Sequence, residues 1–281
     1  MSSVAGKVTA ITGAGSGIGR AVVLEVARRG ARGVAISDVD EAGLAETARL
    51  LEPFGAEALS TPVDVGDREA VEAWAAAVAE RFGVVHQIYN NAGIASGHTI
   101  LESPWPEYEK VIAVNLWGVI HGTKAFLPHV IASGDGHVIN ISSLNGYFAQ
   151  SRLSAYVTTK FAVRGFTETL RSEMLSARAP VKVSVVHPGG VKTPIATNAL
   201  KRAAEIGLEP TEADRRRVAT YNEKLLKMDP AQAARIICDG VQRNRPRIRV
   251  GNDAKAVDVI VRLFPSAYPR LALLLERVTG A

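Results

Sequence analysis

Hydrophobic and polar positions alternate in blocks along the first third of the chain. Short runs rich in Val, Ile and Ala predict buried strands at residues 7–12, 33–37, 56–62 and 87–90. Longer segments with apolar residues at helical spacing predict helices at residues 20–29, 41–54 and 68–82. Strands that alternate with helices through short connections are typical of a parallel sheet covered on both faces. The pattern therefore predicts the α/β class, with a Rossmann-type doubly wound parallel sheet in a single domain over residues 1–281.

The second half continues the alternation and then departs from it. It predicts strands at residues 136–143, 182–187 and 247–250, and helices at residues 154–177 and 230–242. The second of these helices begins at Asp229-Pro230, with proline at its first helical position. Between the last two strands, residues 195–228 form a polar, basic helical stretch with one apolar side.

The C-terminal segment, residues 254–281, is an apolar tail. Asp258, Arg262, Pro265 and Pro269 interrupt it, so it contains no apolar run long enough to cross a membrane. We interpret it as packing against the body or a partner subunit. The alternatives are a peripheral membrane contact or a cover for an apolar substrate site.

A glycine-rich turn joins the first predicted strand to the first helix. Its sequence from Thr12 to Gly19 is Thr-Gly-Ala-Gly-Ser-Gly-Ile-Gly. Glycines allow a tight turn and a close backbone approach to a pyrophosphate, and the helix N-terminus offers free N–H groups and a positive dipole end. Four glycines in seven residues favour a phosphate-binding turn over a merely flexible one.

Asp38 follows the second predicted strand, 19 residues after Gly19. That separation suits the acidic residue that hydrogen-bonds the adenosine ribose of a dinucleotide. A carboxylate there repels a 2′-phosphate, so NAD is favoured over NADP. The alternative is that Asp38 or Asp40 only caps the next helix.

Tyr156 and Lys160 are four residues apart, which places both on one face of a helix. A free Tyr titrates near ~10, and bringing it within reach of pH 7 requires about 4 kcal/mol of differential stabilisation. A neighbouring ammonium favours the phenolate. By itself, however, such a pair is more often a half-buried aromatic beside a solvated cation.

Composition excludes several classes of protein. The net charge is +5, but the basic residues are scattered, so no nucleic-acid-binding surface is predicted. Cys238 is the only cysteine and the six histidines show no metal-ligand spacing, so no disulfide and no metal site are predicted. The first residues run into a strand without a signal-peptide pattern, and we expect a cytoplasmic protein.

Taken in order, the motifs resemble those of the short-chain dehydrogenase/reductase family. Thr12 to Gly19 is similar to the family's cofactor turn, and Asn90-Asn91-Ala92-Gly93 to its fourth-strand motif. Ser143 lies 13 residues before Tyr156, as in the family's Ser–Tyr pair. The remaining matches are Lys160, Asn115, Pro188-Gly189 and Thr193. The resemblance spans roughly residues 5–195.

The resemblance implies hydride transfer between a nicotinamide and a carbinol or carbonyl carbon. Tyr156 would be the general acid/base, Lys160 would lower its pKa and bind the nicotinamide ribose, Ser143 would hold the substrate oxygen, and Asn115 would hold a relay water. The implied cofactor-binding residues are Gly13, Gly15, Ser16, Gly17, Ile18, Gly19, Asp38, Asp64, Val65, Asn91, Ala92, Gly93, Tyr156, Lys160, Pro188, Gly189, Val191 and Thr193. The implied substrate-binding residues are Ser143, Asn145, Phe148, Gln150, Tyr156 and Gly189. Trp105 and Trp117, which flank the Asn115 helix, are interpreted as packing residues. The family places a variable, mobile segment over the substrate after its sixth strand, so the resemblance implies a helical substrate lid over residues 193–229. Family members usually form dimers or tetramers, and we expect the same here.

The substrate pocket suggests a mainly apolar secondary alcohol or ketone. No cluster of positive charge among the lid and pocket positions indicates a carboxylate or phosphate, and steroid, terpenoid, aliphatic and aromatic alcohols all remain open. Two rival hypotheses also remain: an NADP-dependent carbonyl reductase, and a non-catalytic dinucleotide sensor on the same fold.

Overall fold

A computed structural model describes residues 3–205, 207–270 and 273. Within these residues, seven strands form one parallel sheet in the order β3-β2-β1-β4-β5-β6-β7. The strands are β1 (Val8–Thr12), β2 (Gly33–Asp38), β3 (Glu57–Pro62), β4 (Gln87–Asn90), β5 (Gly136–Ile141), β6 (Val181–Pro188) and β7 (Arg247–Val250). The predicted Rossmann-type doubly wound sheet is confirmed.

Helices cover both faces of the sheet. They are α1 (Gly17–Arg28), α2 (Glu41–Leu51), α3 (Arg68–Phe82), α4 (Trp105–Ile112), α5 (Gly118–Ala132), α6 (Ser154–Ser176), α7 (Ile195–Glu205), α8 (Glu212–Lys224), α9 (Pro230–Gln242) and α10 (Asn252–Leu263). A π-helical turn, Ala113–Trp117, joins α4 to α5. Side-chain caps at Asp40, Asp67 and Asp229 begin α2, α3 and α9.

A hydrophobic layer fills the space on each side of the sheet. On one side α1 packs against α9, with Val26 and Ile237 fully buried. On the other side the rings of Trp74 and Phe126 meet edge to face, with centroids 4.9 Å apart. Complete burial of a large aliphatic or Phe side chain contributes about 1.5–3 kcal/mol, so these two layers fix the sheet relative to its helices.

The order of the strands reverses between β1 and β4. β1 pairs with β2 on one side and with β4 on the other. In such sheets the connections leave toward opposite faces and open a crevice outside the carboxyl ends of the strands. The segments after Thr12 and Asn90 therefore border the crevice in which a ligand can bind.

The stretch predicted to be helical, residues 195–228, contains two helices: α7 ends at Glu205, Gly207 has φ +80°, and α8 begins after Pro210. The packing role predicted for Trp105 and Trp117 is wrong, since 80% and 51% of their surfaces are exposed. The physical reason is that Trp105 begins α4, which buries only Val111, and Trp117 ends the π-helical turn, which buries only Val114 and Asn115.

The C-terminal segment partly packs on the body. The rings of Tyr268 and Phe148 lie 5.5 Å apart, centroid to centroid. Leu263 and Phe264 are instead exposed. Residues 271, 272 and 274–281 of the predicted tail lie outside the described residues. Over the part of the chain that the structure describes, every helix is too short or too polar to span a lipid bilayer.

Candidate active site

A cavity of about 720 Å³ runs along the carboxyl ends of the strands and beneath α7 and α8. Its wall includes Gly13, Ser16, Gly17, Ile18, Asp38, Asp64, Val65, Asn91, Ala92, Gly93, Ser143, Asn145, Gln150, Tyr156, Lys160, Pro188, Gly189, Val191 and Thr193. Four residues predicted for the site do not line it: Gly15, Gly19, Asn115 and Phe148. The structure thus brings most of the predicted residues to one continuous surface.

The glycine-rich turn after β1 is packed too closely for larger residues. Gly13 has φ +65°, and a Cβ on it would lie 2.7 Å from the Cα of Ala92. A Cβ on Gly19 would lie 1.9 Å from the carbonyl oxygen of Gly13. Ser16 precedes α1 without a side-chain cap, so the first N–H groups of that helix are free for a ligand at the cavity wall. This arrangement fits a pyrophosphate.

Asp38 and Asp40 have separate tasks. Oδ2 of Asp38 accepts a hydrogen bond from the Gly15 N–H at 2.8 Å, and Oδ1 accepts one from the Asp40 N–H at 3.1 Å. The cap of α2 is Asp40, whose Oδ1 accepts from the Gly43 N–H. Asp38 therefore presents its carboxylate to the cavity from the end of β2, free of a capping role.

Asp64 and Val65 form the next part of the wall, after β3. Burial alone would raise the pKa of Asp64, but Lys110 and the Gly66 N–H together hold it below its ordinary value. Lys110 Nζ lies 2.9 Å from Asp64 Oδ2 and also lines the cavity. The sequence analysis missed Lys110, which is 46 residues away along the chain.

Asn91 fastens the loop after β4 to the glycine-rich turn. Its side-chain amide donates to the carbonyl oxygens of Thr12 and Gly13 at 3.0 and 3.1 Å. The Oγ1 of Thr12 accepts from the N–H groups of Asn91 and Ala92. Asn91 thus holds both sides of the crevice at a fixed separation.

Asn115 lies in the π-helical turn and is fully buried. Its Oδ1 accepts from the Ile94 N–H, and its Nδ2 donates to Ile94 O and to Thr159 Oγ1, at 2.8, 2.8 and 3.2 Å. The side chain therefore connects the loop after β4 to α6. π-Helical turns often occur at functional sites.

Ser143, Tyr156 and Lys160 meet at the wall where β5 and α6 come together. The Nζ of Lys160 donates to Ile141 O at 3.1 Å and lies 5.5 Å from the centre of the Tyr156 ring. Burial lowers the pKa of Lys160 to about 8. Burial raises the pKa of Tyr156, while its hydrogen bond with Ser143 lowers it by less.

Contrary to the expectation from the sequence, Lys160 therefore does not lower the pKa of Tyr156. Tyr156 and Lys160 are both removed from bulk water, which disfavours phenolate and ammonium alike. At neutral pH the phenol is protonated and can donate a proton. A further positive charge beside it is needed before it can act as a base.

The loop after β5 places its polar side chains in two ways. Ser143 Oγ accepts from the Asn145 N–H at 3.1 Å, and the Asn145 amide donates to Phe148 O at 3.0 Å. Gln150 lines the cavity. Phe148 turns away and packs on Tyr268, because the loop folds back toward the C-terminal segment.

Several cavity residues were not predicted from the sequence. They are Lys110, His98, Arg152, Arg202, Asp214, Arg217 and Tyr221. Burial raises the pKa of Tyr221 to about 12, and the charge of Tyr156 adds to the rise. All seven lie on the loops and helices outside the family-like motifs, where spacing carries no signal.

Within the described residues no group of His, Cys, Asp and Glu side chains could hold a metal ion.

Known proteins with similar sequences or structures share this architecture. Residues 7–204 match the model of the short chain dehydrogenase family. The chain is 53% identical to the Mycobacterium tuberculosis protein named "Putative oxidoreductase SadH", over 96% of this chain and 95% of that one. A Burkholderia phymatum short chain dehydrogenase/reductase solved with NAD is 32% identical, with a TM-score of 0.86 over 96% of this chain and 97% of the other. An alcohol dehydrogenase from Thermococcus sibiricus complexed with 5-hydroxy-NADP is 26% identical, with a TM-score of 0.70 over 86% and 94%.

Proposed function

The chain belongs to the short chain dehydrogenase family, and from that membership we propose that it transfers a hydride between NAD(H) and a mainly apolar secondary alcohol or ketone. The observation that carries the proposal is the placement of Ser143, Tyr156 and Lys160 on the wall of the cavity that also holds the glycine-rich turn. A hydride donor and a proton donor are then available in one enclosed space.

The fit of a dinucleotide rests on three parts of the wall. The uncapped start of α1 suits the pyrophosphate, Asp38 suits a ribose with free hydroxyls, and Asp64 with Val65 suits the adenine. Thr193 lies against Gly17: a Cβ on Gly17 would be 3.1 Å from the Thr193 Cγ2. The segment after β6 therefore covers the Gly17 end of the glycine-rich turn. When bound, the nicotinamide accepts or supplies the hydride, and its oxidised ring adds a positive charge.

In the reductive direction the substrate carbonyl oxygen accepts hydrogen bonds from Ser143 and Tyr156. As the carbon gains the hydride, the oxygen gains charge, and Tyr156 transfers its phenolic proton to it. The proton on Tyr156 is replaced from Lys160, whose pKa of about 8 lets it release a proton near neutral pH. In the oxidative direction the phenolic proton of Tyr156 first passes to the neutral amine of Lys160, and the resulting phenolate accepts the proton of the substrate hydroxyl.

Support for NAD over NADP comes from Asp38. A 2′-phosphate placed at the end of β2 would face the Asp38 carboxylate, and like charges at that distance repel. Arg20, a nearby cation, is turned inward: it bonds the Gly15 and Gly43 carbonyl oxygens and Thr47. Relatives of this fold carry either cofactor, so an NADP-dependent carbonyl reductase is the second candidate.

The experiment compares the wild type with Tyr156→Phe and with Tyr108→Phe. Tyr108 is a matched control, because its hydroxyl bonds Ser154 at the start of α6 but does not line the cavity. NADH and NADPH binding is followed by nicotinamide fluorescence, and reduction of apolar methyl and cyclic ketones by absorbance. We expect tighter NADH than NADPH binding and retained NADH binding in both variants.

Turnover should fall about 10²- to 10⁴-fold in Tyr156→Phe alone, as expected for loss of a general acid. Turnover retained in Tyr156→Phe would remove Tyr156 from its role. Tighter NADPH binding would favour the NADP-dependent reductase. Binding of neither cofactor would favour a non-catalytic protein.

We also propose a cytoplasmic homodimer or homotetramer, which sedimentation and cell fractionation would test.

A further inference from the structure

One charged side chain occupies the cavity side of the lid helix α7. The residues of α7 that line the cavity include Ile195, Ala199, Arg202 and Ala203, which recur at helical spacing. The neighbouring Lys201 is exposed and does not line the cavity. Arg202 thus stands where the helical pattern calls for an apolar residue.

The charge of Arg202 has little compensation from the protein. Its Nη2 donates to Ala95 O at 2.7 Å, and burial lowers the pKa of its guanidinium. Among the described residues, no carboxylate lies within 4.0 Å of it. Glu107, one of two acidic residues close enough to influence it, is bound to His98 at 2.9 Å, and Glu205 is exposed to solvent.

An arginine in this position is costly without an anionic partner. A guanidinium has five N–H donors arranged to bind a carboxylate with two parallel bonds. Removing the charge from water and leaving donors unpaired disfavours the folded state. Apolar residues of the wall include Leu153, Leu200, Val218 and Leu226. The two other arginines of the wall, Arg152 and Arg217, are each paired with Asp214.

We propose that Arg202 binds a carboxylate on the substrate, so that the substrate is an amphiphilic keto or hydroxy acid with an apolar body. This inference deepens the proposed function and rests on it for the reacting carbon. The dinucleotide phosphates already have the glycine-rich turn and the start of α1. Arg202 is instead fastened to Ala95, beyond the Asn91–Gly93 motif.

The test uses pairs of ketones that differ only in charge. Levulinate and its longer straight-chain homologues are each compared with their methyl esters, for the wild type, Arg202→Met, Arg202→Lys and Lys201→Met. Lys201→Met is the matched control, since it removes a positive charge one residue away from the cavity wall. Two measurements are made: kcat/KM for reduction with NADH, and binding of acid and ester to the protein–NADH complex by titration calorimetry.

We expect the wild type to favour the acid over its ester by about tenfold or more at the chain length that reaches Arg202, as for a charge-assisted hydrogen bond. Arg202→Met should lose this preference while it keeps its kcat/KM for the ester and its affinity for NADH. Arg202→Lys should recover part of the preference, and Lys201→Met should resemble the wild type.

Three results would overturn the inference. They are no preference for the acid in the wild type, an equal loss for acid and ester in Arg202→Met, or a loss of NADH affinity that matches the loss for the acid. The second result would mean that Arg202 only fastens α7 to Ala95, and the third that its anion belongs to the cofactor. Calorimetry needs no turnover: Arg202-dependent binding of the acid without any reduction would sink the proposed function and leave this site standing.

Discussion

The ammonium of Lys160 lies 5.5 Å from the centre of the Tyr156 ring, within the same wall of the cavity. Lys160 is almost fully buried, and its Nζ has one carbonyl partner, Ile141 O. The proposed proton donor and the lysine proposed to re-protonate it are thus held on one turn of α6, at the cost of burying a cation. Because burying a cation is costly, the pair should affect the stability of the protein as well as its chemistry.

Stability should depend on pH through Lys160. Its pKa is about 8 in the folded protein and about 10.4 in an unfolded chain, so the unfolded state holds more protons between these values. One proton gives a slope of up to about 1.4 kcal/mol per pH unit, with stability rising as pH rises through this window. We expect urea unfolding from pH 7 to 10.5 to show this rise in the wild type relative to Lys160→Met. Other groups titrate equally in both proteins. If the free energies of unfolding of the wild type and Lys160→Met changed in parallel with pH, the buried Lys160 ammonium would not be the cause.

Cofactor choice should depend on the charge of Asp38. Asp38→Asn keeps an oxygen that can accept from the Gly15 N–H but removes the carboxylate. We expect NADH binding to weaken about 10- to 100-fold, as for loss of a charge-assisted hydrogen bond, and NADPH binding to strengthen. Asp40→Ser is the control, because it removes a charge from the same wall and retains a cap for α2. If NADH and NADPH binding changed equally in Asp38→Asn and Asp40→Ser, the effect would come from net charge alone.

Local patterns predicted the fold and the glycine-rich wall of the candidate site. The β1–turn–α1 unit and the Tyr156–Lys160 spacing are properties of short segments, in which backbone and side-chain direction follow from neighbouring residues. Because parallel strands end at one edge, Asp38, Asp64 and Asn91 could be expected to lie near one another even though they are far apart in sequence.

The substrate end could not be predicted in the same way. Arg202 resembles Lys201 in the sequence, and only the position of α7 over the cavity makes Arg202 half-buried and Lys201 exposed. Asn115 could be found, but its π-helical turn depends on its bonds to Ile94 and Thr159. Phe148 was wrongly assigned to the pocket wall, because its contact with Tyr268 spans more than a hundred residues.

Two glycines should respond to alanine in opposite directions. A Cβ on Gly190 would lie 1.8 Å from the Leu225 carbonyl oxygen, just after α8, whereas one on Gly165 in α6 would meet nothing within 4 Å. We expect Gly190→Ala to destabilise the protein by about 1–3 kcal/mol, as overpacking does, and to raise the KM for substrate because α8 must shift. Gly165→Ala should stabilise by about 0.5–1 kcal/mol through its helix propensity. Thermal unfolding checks both signs, and an unchanged Gly190→Ala would show that Leu225 can move freely.

The lid should open when Arg152 is removed. Arg152 bridges Glu102, before α4, and Asp214 of α8, at 3.3 and 3.2 Å, and Asp214 also closes the capping box with Thr211. Because these ion pairs are partly exposed, Arg152→Met should change the free energy of unfolding by less than about 1 kcal/mol. Its effect should fall on the lid: faster amide hydrogen exchange over residues 212–224 and a higher KM, with kcat changed little.

Arg216→Met provides the comparison for this lid experiment. Among the residues that the structure describes, Arg216 forms an ion pair only with Glu212 of the same helix, and 79% of its side chain is exposed. The Arg216→Met substitution removes the same charge from the same region but leaves the ion pairs of Arg152 with Glu102 and Asp214 intact. Hydrogen exchange and KM should therefore stay at wild-type values. If both variants accelerated exchange equally, the intrinsic stability of α8 would control the lid. If Arg152→Met left exchange unchanged, the lid would be held by the contacts of Leu226 and Met228 with the body, and the bridge would be incidental.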